Sequence, residues 1–271
     1  MGQMLVASGA VSDNLERARA MIQRASGEGC AAVLLPECLN VGWTSEATRD
    51  LAEPIPGAHS EMLAAAARDA GIHVVAGLAE RAGDRIYNSA VLISPAGEIL
   101  ALHRKINELS IAVSLYHVGD RLMVAETPFG RIGVNICADN FPNSLVLGHA
   151  LGRMGCQVLL SPCAWAVEPD HDNETDPYGK LWLDAYGELA RLYDMTVVGV
   201  SSVGRLADGP WAGRKCIGCS LAVGPGGRML VRGPYGETAE ALVTVEVSPL
   251  RRIVTGEAIT AMLRGKGYTG P

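Results

Sequence analysis

RIGVNICADNFPNSL, Arg131 to Leu145, changes character at its centre. Ile132–Ile136 is a short apolar run of the kind a buried strand uses, and it leads directly to Cys137. Pro142 suits the first turn of a helix, which the pattern predicts to run to about Met154. A cysteine between a strand and a helix is presented at the edge of a sheet, with the free backbone N–H groups of the helix start close by. The flanking segments repeat the alternation. Val158–Ser161 reads as the next strand, Asp176–Tyr193 as a helix, and Thr196–Val200 as a strand rich in β-branched residues. Leu221–Val223 and Met229–Val231 flank the turn Gly224-Pro225-Gly226-Gly227 and make a hairpin.

The first half has the same grammar. Asp13 is placed to cap a helix with Glu16 as its capping-box partner. Leu15, Ala18, Ile22 and Ala25 then line one face at helical spacing. Ala31–Leu35 is a continuous apolar run that reads as a buried strand ending at Pro36. Ser60 is read as the cap of a second helix through Asp69, followed by a strand over Ile72–Gly77. Tyr87–Ile93 and Ile99–Leu102 flank Ser94-Pro95-Ala96-Gly97 as a hairpin, and a second hairpin turns at Thr127-Pro128-Phe129-Gly130. The chain is therefore α/β, with mixed sheets covered by helices. No linker, low-complexity segment or short repeat divides it. One domain is expected over residues 1–248. Residues 249–271 are expected to be a C-terminal tail, at the surface or at a subunit interface, because they are less apolar and hold Gly265, Gly267, Gly270 and Pro271.

Composition narrows the function. The chain has 271 residues, 48% of them apolar, which excludes a disordered protein and suits a single core. The net charge is −6 and no basic run is present to neutralise phosphates, so nucleic-acid binding is not expected. No apolar run approaches the roughly 20 residues that span a bilayer. The start has early acids and no basic region, so it does not read as a signal peptide. Val6 stands where a myristoylation motif wants Ser or Thr. Seven cysteines at irregular spacing suit a reduced cytoplasm better than a disulfide framework. Cys216 and Cys219 form a C-x-x-C pair without a second pair or a nearby His, so a metal site is not expected and a buried strand is the simpler reading.

Three residues stand where chemistry could use them. A free cysteine is only about 3% thiolate at neutral pH, taking its reference pKa of ~8.5, so Cys137 would need a base or a neighbouring cation to act as a nucleophile. Otherwise it is a small buried hydrophobe. Glu37 follows the apolar run AAVLLP and would be partly desolvated, as suits a general base; it also reads as a loop acid. Lys105 closes ILALHRK. Arg104 and Lys105 are adjacent, so on a strand they point to opposite faces. One can face solvent while the other points inward and stabilises a negative tetrahedral intermediate.

Together these residues lie in three blocks, VLLPECLNVGW, HRKINE and GVNICADNFPNSL, in that order. The set resembles the nitrilase superfamily of carbon–nitrogen hydrolases, as do the opening strand–helix–strand and GCSLAVGPGGRML near the end. The resemblance covers about residues 1 to 248. It implies a four-layer α-β-β-α sandwich that often pairs into homo-oligomers. It also implies Glu37 as general base, Lys105 as stabiliser of the tetrahedral intermediate, Cys137 as nucleophile and the backbone N–H of Ala138 as an oxyanion donor, without metal or organic cofactor. Ala138 departs from the family, where an aromatic commonly precedes the acid; a small residue there enlarges the pocket. Many members carry a second Glu on the loop after the lysine. Glu108 is the nearest candidate here, but its spacing is short and a solvent-facing acid is equally compatible; Asp120 and Glu126 are weaker candidates. In the polar stretch SPCAWAVEPDHDNETDPYGKLW, Trp165, His171, Asp172 and Asn173 either line the substrate pocket or belong to a solvated loop.

The leading reading is a hydrolase cleaving a small amide through a cysteine thioester. An N-carbamoyl compound is the next substrate class and a nitrile the third. A binding or scaffolding protein on the same fold is the alternative outside enzymology. Retention of all three residue types argues against it.

Overall fold

A computed structural model describes residues 1–250 and 256–270. In chain order the first half comprises β1 (Gly2–Gln3), α1 (Val11–Gly27), β2 (Ala32–Leu34), α2 (Thr48–Leu51), α3 (Ala58–Ala70), β3 (His73–Ala82), β4 (Arg85–Ile93) and β5 (Ile99–Arg104). The centre holds β6 (Val124–Thr127), β7 (Gly130–Val134), a 3-10 turn at Cys137–Asn140, α4 (Val146–Arg153), β8 (Val158–Cys163) and β9 (Ala166–Val167). The last part holds α5 (Lys180–Tyr193), β10 (Thr196–Ser201), β11 (Val203–Arg205), β12 (Lys215–Ile217), β13 (Leu221–Gly224), β14 (Arg228–Arg232), β15 (Ala241–Leu242) and α6 (Gly256–Gly265).

Two sheets stack through apolar side chains. One has the order β2-β3-β4-β5, the other β14-β13-β10-β8-β7-β6. Strands β7, β8 and β10 are parallel, and antiparallel hairpins close both edges. Period-two alternation sorts their side chains. Val158 and Leu160 of β8 and Val198 and Val200 of β10 meet Leu34, Val75, Ala90 and Leu92 of the smaller sheet. The opposite face of the larger sheet, with Leu159 and Val197, packs on α5 through Tyr186 and Leu189. Val33, Val74 and Ala76 of the smaller sheet meet Leu15, Ala18 and Ile22 of α1 and Leu63 and Ala67 of α3. The architecture is thus the four-layer α-β-β-α sandwich. It explains why the parallel strands read as continuous apolar runs: both of their faces are covered.

Several local expectations are corrected. Asp13 does not cap α1. The helix begins at Val11, and Asp13 lies in its first turn, where an acid still suits the positive end of the helix. The chain before α1 is held instead by Asn14, which accepts from the Ala7 N–H (2.9 Å) and donates to its carbonyl (2.7 Å). Ser60 sits inside α3, not before it; its hydroxyl accepts from the Gly57 N–H at 3.0 Å. The helix after Cys137 starts at Val146, not Pro142. The Ser144 hydroxyl turns back to the Ala138 carbonyl (2.7 Å), so the intervening residues build the turn behind the cysteine. The α5 helix starts at Lys180, not Asp176. The segment read as a tail carries α6, which buries Ile259 and Leu263 against the α5 side of the larger sheet. Its residues 251–255 and 271 lie outside the described residues.

Cys216 lies on β12, among Cys38, Trp43 and Tyr116, whereas Cys219 packs with the α5 cluster. The two side chains thus enter different cores. A chelator is expected to leave any turnover unchanged. Stoichiometric zinc in metal analysis, with loss of activity on its removal, would contradict this.

Among the described residues no helix is long and apolar enough to cross a membrane. All seven cysteines are free thiols.

Candidate active site

The chain leaves β2 through Leu35 and Pro36 and turns at Cys38, whose φ of 45° is left-handed. This turn buries Glu37 to 1% exposure. The Glu37 N–H donates to the Cys163 carbonyl (3.2 Å), tying the loop to the end of β8 in the other sheet. Gly77 is required beside it. A Cβ there would lie 2.5 Å from the Glu37 Cα, so the two backbones touch where any side chain would separate them. The Glu37 carboxylate receives two donors on one oxygen: Asn88 Nδ2 at 2.6 Å and Lys105 Nζ at 2.7 Å.

Lys105 follows the last residue of β5. Its N–H donates to the Asn88 carbonyl (2.8 Å), which continues the ladder by one residue and fixes the side chain inward, 1% exposed. Arg104 points the other way and pairs with Glu80 at 2.8 and 2.5 Å, as alternation requires. The Lys105 ammonium lies 5.7 Å from the centre of the Trp43 ring, within cation–π reach. Burial works against this ammonium. The charges of Glu37, Glu108 and Cys137 outweigh it and hold its pKa well above the ordinary lysine value.

Past Lys105 the chain turns sharply and returns Glu108 to the same ammonium, with Oε2 3.8 Å from Nζ. The Glu108 side chain is 1% exposed, and neither of its oxygens has a hydrogen-bond partner. Burial pushes its carboxyl up from 4.5 to about 7, against the pull of Lys105 and with the charges of Glu37 and Asp139 adding to the shift. The solvent-facing alternative for Glu108 is excluded by this placement. Asp120 is exposed and pairs with Arg121, and Glu126 is exposed and pairs with Arg131, so neither joins the group.

Cys137 opens the 3-10 turn with φ of 41°. A non-glycine residue there costs on the order of 1–3 kcal/mol and persists only where its surroundings hold it. Here the Cys137 N–H donates to Ser161 Oγ (3.0 Å), which also accepts from Asn140 Nδ2 (3.0 Å). The thiol is raised well above the ordinary cysteine value by a hydrogen bond with Cys163, then by burial and by the Glu37 charge; Lys105 opposes them. The thiol therefore sits in the field of both Glu37 and Lys105. It rests protonated, and a base must remove its proton before it attacks.

The polar stretch after β8 divides. Trp165 is buried, stacked on Trp182 at 4.8 Å and set beside Tyr178 at 6.2 Å, with its indole N–H unpartnered. Tyr178 lies near the Cys137 thiol, whose charge contributes to the rise in its own pKa, and its hydroxyl accepts from Trp182 Nε1 (3.0 Å). Asp172 accepts from the Glu174 N–H and the Thr175 hydroxyl, both at 2.9 Å, and Asn173 accepts from the Tyr178 N–H at 2.8 Å. These two side chains build the loop's own turns. His171 lies 4.0 Å from Asp176 and beside Tyr235. Glu37, Lys105, Glu108 and Cys137 are brought together; Asp172 and Asn173 are not brought to them. Sequence reasoning missed Asn88 as the second donor to Glu37. Its signal was an amide inside the apolar strand RIYNSAVLI, where a polar group needs a buried partner. It also missed Tyr116, whose hydroxyl accepts from the Thr44 N–H (3.3 Å) and lies 3.6 Å from Cys38 Sγ.

A strand-end cysteine held beside a buried Glu–Lys–Glu set, on a four-layer sandwich, is the arrangement that the resemblance to the nitrilase superfamily implies. The comparisons agree. The model of the family "Carbon-nitrogen hydrolase" matches residues 1–252. The chain is 31% identical over 240 residues to a nitrilase of Pyrococcus abyssi, covering 86% of this chain and 83% of that one. It is 34% identical over 165 residues to the omega-amidase NIT2 of Danio rerio, covering 57% of this chain and 58% of that one. The latter match thus spans little more than half of the relative's length. Among solved structures, a carbon–nitrogen hydrolase from Helicobacter pylori G27 superposes with a TM-score of 0.81 at 20% identity, over 97% of this chain and 91% of that one. An amidase from Nesterenkonia sp. gives 0.72 at 24% identity, over 87% and 86%. The chain belongs to the carbon–nitrogen hydrolase family.

Glu108→Gln is expected to lower turnover by roughly tenfold or more, the low end for a positioned acid–base group. It should also change the pH dependence of stability. The folded protein raises the Glu108 pKa from 4.5 to about 7, so it binds this proton more tightly than the unfolded chain does. That stabilisation is complete below the unfolded value and is lost as pH rises through the folded one. The melting temperature of Glu108→Gln should therefore gain on wild type between pH 5 and pH 8. A constant difference across that range would show that Glu108 does not titrate there.

Proposed function

We propose that this chain is an amidase-type carbon–nitrogen hydrolase that releases ammonia or an amine from a small amide through a thioester on Cys137. The observation that carries this reading is the Lys105 ammonium. It is held 2.7 Å from Glu37 and 3.8 Å from Glu108, buried beside a thiol on a left-handed turn. Glu37 takes the thiol proton as the sulfur attacks the amide carbonyl carbon. The carbonyl oxygen becomes an oxyanion. Lys105 stabilises it, with the Ala138 N–H of the 3-10 segment as the second donor in this reading. Glu37 returns the proton to the nitrogen as the C–N bond breaks and the amine leaves. The same carboxylate then activates water, which cleaves the thioester and restores the thiol. Glu108 holds the ammonium from its other side, so that Lys105 stays directed at the reacting carbonyl while Glu37 exchanges protons.

Support comes also from relatives. One is named an omega-amidase, and a mutant of the Nesterenkonia amidase shows the Michael addition of acrylamide at its active-site cysteine. The site calls for no metal or organic cofactor in any of these steps. The test is ammonia release from a panel of short primary amides, N-carbamoyl amino compounds and nitriles. Release from amides with little from the other two classes supports the reading. Preferential release from carbamoyl compounds or nitriles would redirect it, and no release from any class would favour a binding role.

A further inference from the structure

Lys105 and Cys137 are carried by different sheets. Lys105 follows β5 of the four-stranded sheet; Cys137 follows β7 of the six-stranded one, and among the described residues no strand ladder joins the two. Their separation is therefore set by contacts across the sheets: the Glu37–Cys163 backbone bond and a set of side chains. Besides Glu37, one carboxylate links the two segments that carry them. Asp139 Oδ1 accepts from the backbone N–H groups of Ile106 (3.1 Å) and Asn107 (2.8 Å). Its Oδ2 accepts from the Ile136 N–H (3.0 Å) and from His103 Nε2 (2.8 Å). The donors flank Lys105 on both sides and also include the residue before Cys137. Four donors fill the sites a carboxylate offers. Asn107 closes the loop from the other direction: its Nδ2 donates to the Ala138 carbonyl (2.7 Å) and to Ser144 Oγ (2.8 Å). Asp139 is fully buried and His103 is 1% exposed, so water does not compete for these bonds.

We propose that Asp139, oriented by His103, is a positioning residue that fixes the Lys105 ammonium relative to the Cys137 thiol. This rests on the reading of those two groups as the reacting pair. Asp139 touches neither substrate nor thiol; it acts through the backbone on either side of each. Burial alone would push its carboxyl up. The His103 hydrogen bond and charge, with the backbone donors, outweigh that and keep it below the usual aspartate value, so the clamp is ionised at neutral pH. Loosening it lets the cation that favours the thiolate move away from Cys137. A role confined to holding the fold would lower the yield or melting temperature but leave the chemistry of the folded fraction unchanged.

The test compares His103→Gln, which keeps a donor near the Nε2 position, with His103→Leu, which has none. The readout is the rate at which iodoacetamide alkylates Cys137 in folded protein, followed by peptide mass mapping across pH. His103→Leu should slow alkylation at neutral pH by about tenfold or more, the scale expected for a small displacement of a reacting group. Its thiol titration should move up by about one unit as the opposing cation is displaced. His103→Gln should stay within about threefold of wild type. If His103→Leu does not fold, Asn107→Ala loosens the same clamp from a partly exposed position and should slow alkylation in the same direction. Wild-type rates and pH profile in the donor-free variants, or a His103→Gln as slow as His103→Leu, would overturn the proposal. Failure of the underlying reading looks different: Cys137→Ala would still release ammonia, whatever the alkylation rates.

Discussion

Replacing Cys137 by alanine is expected to abolish turnover while the protein folds as before. The change removes one heavy atom from a partly exposed side chain, so the packing loss is small, on the order of 1 kcal/mol. Alanine also meets the left-handed φ of 41° at a cost like that of cysteine, because both carry a Cβ. The chemistry has no substitute. Cys38 adjoins Glu37 but is fully buried, and burial with the neighbouring carboxylate raises its thiol well above the usual range. Cys163 is fully buried too. Activity above a few percent of wild type in Cys137→Ala, with an unchanged circular dichroism spectrum, would remove Cys137 from the nucleophile's role.

Glu37→Gln should have an effect of similar size. The amide is nearly isosteric and can still accept from Asn88 or Lys105, so the fold should survive. What it cannot do is take the proton from a thiol whose pKa lies well above the ordinary cysteine value. Loss of a general base typically costs about 10²–10⁴-fold. Here the same carboxylate is used for attack, for amine departure and for water activation, so the loss should fall at the upper end of that range. Rapid-quench measurement of acylation and deacylation separates these steps, and both should slow. Near-normal rates of both would assign the proton transfers to another group, with Glu108 the nearest carboxylate.

The sandwich was legible because its signals are local. Ala31–Leu35, Val158–Ser161 and Thr196–Val200 are apolar on both faces, and such runs become central strands whatever lies around them. The hairpin turns at Ser94–Gly97 and Gly224–Gly227 carry their own Gly and Pro chemistry. Glu37, Lys105 and Cys137 were legible for a different reason: three blocks in fixed order resemble one family, while each residue alone read as readily as a buried thiol or a surface charge. The rest depended on contacts distant in sequence. The burial of Glu108 follows from the turn after β5, which the carboxylate of Asp139 holds from 32 and 33 residues away. Asn88 becomes a partner of Glu37 only when β4 lies beside β3. Helix α4 starts four residues later than the position of Pro142 suggests, because Ser144 and Asn107 draw the intervening turn back onto Ala138. Asp13, paired with Glu16 as a capping box, and Ser60 were placed as caps, and each lies inside its helix. The apolar face of α6 was hidden in a segment read for its glycines and its lower apolar content.

The central claim is that the thiol of Cys137 is the group on which turnover depends. The most direct measurement is stepwise titration of the native enzyme with iodoacetamide until one equivalent of label sits on Cys137, with residual ammonia release and the labelled peptide both followed. Two of the seven thiols are partly exposed, Cys30 and Cys137, so the titration has a real competitor. The predicted result is activity that falls in proportion to label on Cys137 and reaches zero at one equivalent. Activity that persists with Cys137 fully labelled, or that disappears as label accumulates on Cys30, would contradict the claim.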